Sequence, residues 1–115
     1  MGHPGTAMFK AGTRTQEGDV VVHVEDRLLL QRHLRGDAEA FPLLLASVGP
    51  PIWRYLGRQG VASTDREDLF QEVFIRVHRF AGTFQAGRPL RPWLFAIAAN
   101  ALRDWRRRRR LLVAL

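Results

Sequence analysis

Four acids lie within one short stretch, Asp65, Glu67, Asp68 and Glu72, and they are the densest set of groups here that could move a proton or hold a cation. Their place at the start of a helical pattern gives a plainer reading. The unpaired backbone N–H groups of a helix N-terminus favour negative charge, and that accounts for most of the cluster. The histidines, His3, His23, His33 and His78, lack the spacing of a metal site. Cysteine is absent, which excludes disulfides and thiolate ligands and fits a reducing cytoplasm. Gly82-Thr83-Phe84-Gln85-Ala86-Gly87 has the glycine spacing of a phosphate loop, but Arg88-Pro89 follows where Lys and Ser/Thr are required. No catalytic residue, metal or cofactor is expected, and the chain is not expected to be an enzyme.

Non-covalent chemistry is better represented. The segment from Ala81 to Arg91 combines Phe84, Gln85, Arg88 and Arg91 with two glycines. An aromatic face, an amide and cations on a pliable backbone are the groups that stack on and hydrogen-bond an extruded base. Phe84 has a second reading, as a plug in the core with the arginines facing water. Further on, Trp93, Asn100, Arg103 and Arg107 fall on one side of a helix, at separations of seven, three and four. Asn reads base edges, Arg holds phosphate and an aromatic stacks. The run Arg106 to Arg110 would wrap the same helix and neutralise several phosphates. The alternatives are an Asn100 buried as a cap and a solvated cationic tail; Trp105 reads as core. A third surface is the helix from Asp65 to Phe80. Leu69, Val73, Val77 and Phe80 form an apolar stripe with Phe70 and Phe74 beside it, while Asp68, Gln71, Glu72, Ile75 and Arg79 lie opposite. That outer face either docks a partner helix or is simply solvated.

The elements that must position these groups are helical. The pattern begins near Asp26 with Leu28, Leu29 and Leu30, and Gly36 ends it. Asp37 is an N-cap for a second helix carrying Ala40, Phe41, Leu44 and Leu45. Gly49-Pro50-Pro51 predicts a break, with a third helix holding Ile52, Trp53, Tyr55 and Leu56. Thr64 to Glu67 matches a capping box for the fourth helix, and Pro92 opens the last one after a long loop. Val20 to Val24 is β-branched but, as a strand, would have nothing to pair with. The expected fold is an all-α compact bundle of four to five helices with a long loop before the last.

At 115 residues the chain suits one domain, and no apolar run is long enough to cross a membrane. Residues 1–24 read as a disordered leader or an added extension, and 25–112 as the domain. The net charge is +7, from eighteen basic and eleven acidic residues. Eight arginines against the single acid Asp104 lie from Arg88 onward, so the earlier part is neutral overall. A basic segment on a neutral body points to a polyanion, nucleic acid ahead of a membrane surface.

The string Asp65-Arg66-Glu67-Asp68-Leu69-Phe70-Gln71-Glu72-Val73-Phe74 resembles the polymerase-binding motif of extracytoplasmic-function sigma factors. Arg91-Pro92-Trp93-Leu94-Phe95-Ala96-Ile97-Ala98-Ala99-Asn100, with Asp104 and the arginine run, resembles a second motif of that family, and Gly36-Asp37-Ala38-Glu39-Ala40-Phe41 resembles the opening of the same domain. The resemblance covers about Asp26 to Arg110. It implies that Asp68, Leu69, Gln71, Glu72 and Ile75 dock on the clamp coiled coil of the RNA polymerase β′ subunit. It also implies that the loop with Phe84, Gln85, Arg88 and Arg91 captures a base flipped from the non-template strand of the −10 promoter element. Trp93, Asn100, Arg103, Arg106 and Arg107 would hold that element and its edge. Ala96 and Ile97 stand where housekeeping sigma factors carry aromatics, which fits the extracytoplasmic-function branch. Members normally have a second, −35-binding domain with no counterpart in these residues, so the chain is expected to be a fragment, an excised domain or a reduced relative. Two rival readings remain: a small basic helical module that binds nucleic acid without sequence preference, and a sigma-like domain held by an anti-sigma factor through Ile75 and Trp93.

Overall fold

Leu44, Val48, Ile52 and Leu56 recur every four residues, and each is at most 2 % exposed along one unbroken helix. The computed structural model describes residues 17–114, with side chains from Asp26 onward. Four helices, α1 (Glu17–Leu34), α2 (Ala40–Arg58), α3 (Ser63–Phe80) and α4 (Leu90–Ala114), and a 3-10 turn (Ala81–Thr83) make up the described fold. It is an all-α bundle, as expected. Helix α1 packs on α2, α2 on α3, and α3 on α4. The shared core joins Leu30 and the α2 stripe to Leu69, Val73 and Val77 of α3 and to Leu94, Ala98 and Ala101 of α4.

The break expected at Gly49-Pro50-Pro51 is absent, because both prolines lie inside α2. A proline within a helix costs about 3 kcal/mol or more through its lost hydrogen bond and its clash with the preceding turn. Each buried Leu, Ile or Val contributes about 1.5–3 kcal/mol. Only a continuous helix keeps residues on both sides of the prolines on one stripe, so burial prevails. Helix α1 also starts earlier than expected. Residues 17–24 are helical, including Val20 to Val24, since an unpaired strand has no ladder to satisfy its backbone whereas a helix satisfies its own. Of the leader expected over residues 1–24, residues 17–24 thus belong to α1, and 1–16 lie outside the described residues.

Helix ends follow from two glycines. Gly36 and Gly60 both have positive φ, and each closes a helix with the same pair of bonds. Gly36 N–H donates to His33 O and Asp37 N–H to Arg32 O, and likewise Gly60 to Gly57 and Val61 to Leu56. The second closure puts Val61 in the core, 2 % exposed, which leaves only Ala62 before α3 begins at Ser63. The expected capping box is therefore not formed. Thr64 is already helical, and the Ala62 carbonyl accepts the N–H groups of Asp65 and Arg66. Arg66 fills the gap from the side, donating through Nε and Nη2 to Val61 O (3.2 and 2.9 Å) and lying over the Trp53 ring. Asp37 is not the N-cap it was expected to be: α2 starts at Ala40 after Glu39, and Asp37 instead closes the preceding turn, accepting Glu39 N–H at 3.0 Å and pairing with Arg32. Phe80, expected in the core stripe, is 42 % exposed because Ala81 takes the buried place at the end of α3.

Helices α1 and α3 also meet through His33 and His78, whose Nε2 and Nδ1 are 2.9 Å apart beside the Phe41 ring. One ring must donate and the other accept, so the pair survives only while one of them is neutral. Burial, then the neighbouring His78, hold the His33 pKa below its ordinary value of 6.5. A base with a lowered folded-state pKa binds fewer protons folded than unfolded, so stability falls as the pH drops through about 6.5 toward the folded value. The thermal midpoint is expected to fall between pH 7.5 and 5.5, and His33→Gln to flatten that slope. An equal slope in the variant would assign the acid sensitivity elsewhere.

Candidate functional site

Helix α3 turns Asp68, Gln71 and Ile75 outward, with Ile75 51 % exposed and Glu72 half-buried next to them. They line one side of the helix by the three- and four-residue spacing that also buries Leu69, Phe70, Val73, Phe74 and Val77 on the other. Leu69 is 1 % exposed. Its side chain is enclosed by the core, which corrects its inclusion among the docking residues: the helical period that exposes Asp68 and Glu72 carries Leu69 inward. The outer face is thus two carboxylates, an amide and an aliphatic, a surface able to meet a basic, partly apolar helix.

The loop after α3 divides into an anchored start and an exposed tip. Thr83 Oγ1 donates to Phe80 O (2.7 Å) and Phe84 N–H to Ala81 O. Phe84 is half-buried, packed on the core edge and on Trp93 with ring centroids 5.3 Å apart. Both readings of Phe84 therefore meet in one place, a ring that supports the fold and borders the surface. Gln85 and Arg88 are exposed at the tip, where Arg88 N–H donates to Gln85 O. Arg91 departs from the group. It is half-buried and turns toward α1, lining a cleft of about 390 Å³ with Asp26, Arg27, Gly87, Pro89, Leu90 and Pro92. Its Nε is buried with no hydrogen-bond partner among the described residues.

Helix α4 buries Leu94, Ile97, Ala98, Ala101 and Leu102 and presents Ala96, Asn100, Arg103 and Arg107 outward. Trp93 sits half-buried at the edge of that face. Asn100 is exposed, so it is not a buried cap; its Oδ1 accepts from Arg103 Nη1 at 2.6 Å, leaving the amide N–H groups free to donate. Of Ala96 and Ile97 only Ala96 faces outward, since Ile97 is 9 % exposed. The arginine run is not uniformly free. Arg106 donates to the Gln59 carbonyl, and Arg109 pairs with Asp65 (3.2 Å) while lying over Trp105, which packs on the core. Arg108 and Arg110 are exposed and pair with none of the described residues.

One group escapes a reading of the sequence. Arg76 donates through Nε to Glu72 Oε2 (2.9 Å) and through Nη1 to Asp104 Oδ2 (3.0 Å), and Asp104 Oδ1 accepts from Arg107 Nη2 (3.2 Å). The Arg76 bond, ahead of the charges of Arg76, Arg107 and Arg108, holds the Asp104 carboxyl below the usual carboxylate range. The bond to Glu72, with help from Asp104, raises the Arg76 guanidinium in turn. The i,i+4 spacing of Glu72 and Arg76 is visible in the sequence, as is Asp104 alone among arginines; their meeting across 28 residues is not.

Residues 44–111 match sigma-70 region 2, a span that contains every residue of both outward faces. The chain belongs to the sigma-70 region 2 family. The sigma domain is 34 % identical over 86 residues to RNA polymerase sigma factor CnrH of Cupriavidus metallidurans, covering 75 % of this chain and 45 % of that one. To RNA polymerase sigma factor CarQ of Myxococcus xanthus it is 37 % identical, over 70 % of this chain and 47 % of the relative. To the ECF RNA polymerase sigma-E factor of Escherichia coli K12 it is 31 % identical, over 70 % and 41 % respectively. The sigma domain therefore matches somewhat less than half the length of these relatives. The resemblance to extracytoplasmic-function sigma factors is borne out at the level of the family, since sigma-E carries that designation in its name.

Proposed function

We propose that this sigma domain acts in bacterial transcription initiation, docking on RNA polymerase core through α3 and engaging the −10 element through the loop and α4. It works in the cytoplasm and makes or breaks no bond. The observation that carries this reading is the separation of two chemically opposite faces on adjacent helices. Asp68, Gln71, Glu72 and Ile75 on α3 suit the β′ clamp coiled coil, and Gln85, Arg88, Asn100, Arg103, Arg107 and Arg108 suit a nucleic-acid strand.

Melting would be differential binding. An unstacked base costs a few kcal/mol to extrude, and the domain offsets this by holding the open strand better than the duplex. The cleft beside the loop suits that task, because a base lodged there would give Arg91 Nε the acceptor it lacks. Phe84 and Trp93 together offer an aromatic edge for stacking. Ile75, half exposed, also fits an anti-sigma factor, which would cover the same face and compete with core.

The test is titration of the chain with purified bacterial polymerase core, then with a labelled −10 non-template oligonucleotide. Binding to both supports the reading; failure to bind core would leave a basic nucleic-acid module as the better description. On the DNA arm, Arg107→Ala with Arg108→Ala is expected to weaken binding whatever the sequence. It should also reduce the slope of log K against log salt by roughly 0.7 for each phosphate of a single strand that is no longer neutralised. An unchanged slope would show that neither side chain reaches phosphate.

A further inference from the structure

The loop that carries Phe84, Gln85 and Arg88 leaves the end of α3 where two imidazoles meet. His33 lies in the last turn of α1 and His78 in the last turn of α3, 45 residues apart along the chain and 2.9 Å apart between Nε2 and Nδ1. Phe41 of α2 walls the pair, its ring centroid 4.8 and 5.8 Å from theirs. From His78 a run of backbone bonds leads into the loop: Ala81 N–H donates to His78 O, and Phe84 N–H to Ala81 O. Ala81 is 1 % exposed, and α1 also touches the turn that it opens. The contact between the two rings thus ties the base of the loop to α1.

We infer that His33 and His78 are a pH-sensitive latch, holding the base of this loop against α1 while at least one ring is neutral and releasing it when both are protonated. The latch is a property of the free domain; its consequence for DNA rests on the function proposed above. A cation in the last turn of a helix is ordinarily favoured, so either ring alone accepts a proton readily. With both protonated, both facing nitrogens carry N–H, no lone pair remains to accept, and two like charges face each other. No acid offsets that repulsion. Phe41 and the turn Ala81–Thr83 bear no charge, and neither ring bonds a carboxylate among the described residues. The other charges at this end of α1 and α3 are the cations Arg32, Arg35 and Arg79, of which Asp37 holds Arg32. Burial acts in the same direction, keeping His33 below its ordinary value of 6.5. The contact is therefore complete above that value and is lost as the pH falls through the lower, folded-state one.

Amide hydrogen exchange on the whole chain tests the latch without any ligand. Protection of the Ala81 and Phe84 amides, taken relative to Val73 and Ala98 in the core, is expected to fall about fivefold between pH 7.5 and 5.5, as suits one lost hydrogen bond. The ratio to core amides separates this local release from the global loss of stability expected above. His33→Gln is expected to abolish the fall, because an amide bonds His78 in either protonation state, and His78→Asn should do the same. Phe41→Leu keeps both rings and should keep the fall. An unchanged ratio in the unaltered chain, or a fall that persists in both histidine variants, would overturn the latch. With a −10 non-template oligonucleotide at fixed salt, the same pH step should weaken binding by the unaltered chain about threefold more than binding by His33→Gln. An equal change in both would show that the hold of the loop on DNA does not pass through the latch. Failure to bind the oligonucleotide at either pH would remove the DNA reading, while the exchange result still decides the latch.

Discussion

Reversing the charge of the outer face of α3, Asp68→Lys with Glu72→Lys, is expected to lower affinity for polymerase core about a hundredfold or more while leaving the helix intact. Both side chains reach solvent, and the core stripe of the same helix is untouched. Placing two cations where a basic coiled coil should dock replaces attraction by repulsion, which costs several kcal/mol, and each 1.4 kcal/mol is about tenfold in affinity. Glu72→Lys also sets a like charge beside Arg76, so Asp68→Lys alone is the cleaner half of the test and should account for at least about tenfold. Far-ultraviolet circular dichroism checks the fold, and titration with core measures the loss. Undiminished core binding by the double variant would remove the docking face from α3.

Leu69→Ala and Ile75→Ala separate the two sides of that helix. Leu69 is 1 % exposed and Ile75 51 % exposed, though both belong to the helix that carries the polymerase-binding resemblance. Truncating a fully buried leucine removes its transfer free energy and leaves a cavity, so Leu69→Ala is expected to cost about 2–5 kcal/mol. In a domain of this size that lowers the thermal midpoint by roughly 10 °C or more. Ile75→Ala should move stability by no more than about 0.5 kcal/mol, as surface substitutions do. Its effect is expected in core binding instead, because an exposed aliphatic loses solvent only when a partner covers it. Thermal unfolding and core titration on the two variants give a crossed pattern. A stable Leu69→Ala, or an Ile75→Ala that binds core normally, would break it.

Much of this is legible in order along the chain. The apolar stripe of α3 and its polar back, the loop rich in glycine, and the one-sided placement of Asn100, Arg103 and Arg107 all follow from a period of 3.6 residues, which is local. Gly36 and Gly60 mark helix ends because left-handed backbone is local too. Where the structure departs from expectation, the origin is different. A window of sequence around the proline pair displays only its local cost, whereas Leu44, Val48, Ile52 and Leu56 decide the matter by burial against other helices. The capping box fails for a similar reason, since Val61 is drawn into the core and leaves no room for Thr64 to cap.

By itself the sequence determined the helical class, the order of the elements, the family and which side of α3 and α4 carries which charge, because periodicity and composition are properties of neighbours along the chain. Tertiary structure decided what those charges do. It turned Arg91 toward a cleft under α1, spent Arg106 and Arg109 on the body of the domain, and set Arg76 between Glu72 and Asp104. The long-range meetings among these join side chains and carbonyls 28 to 47 residues apart. Only the packing of one helix on another fixes which long, flexible arginine finds a partner before any ligand arrives.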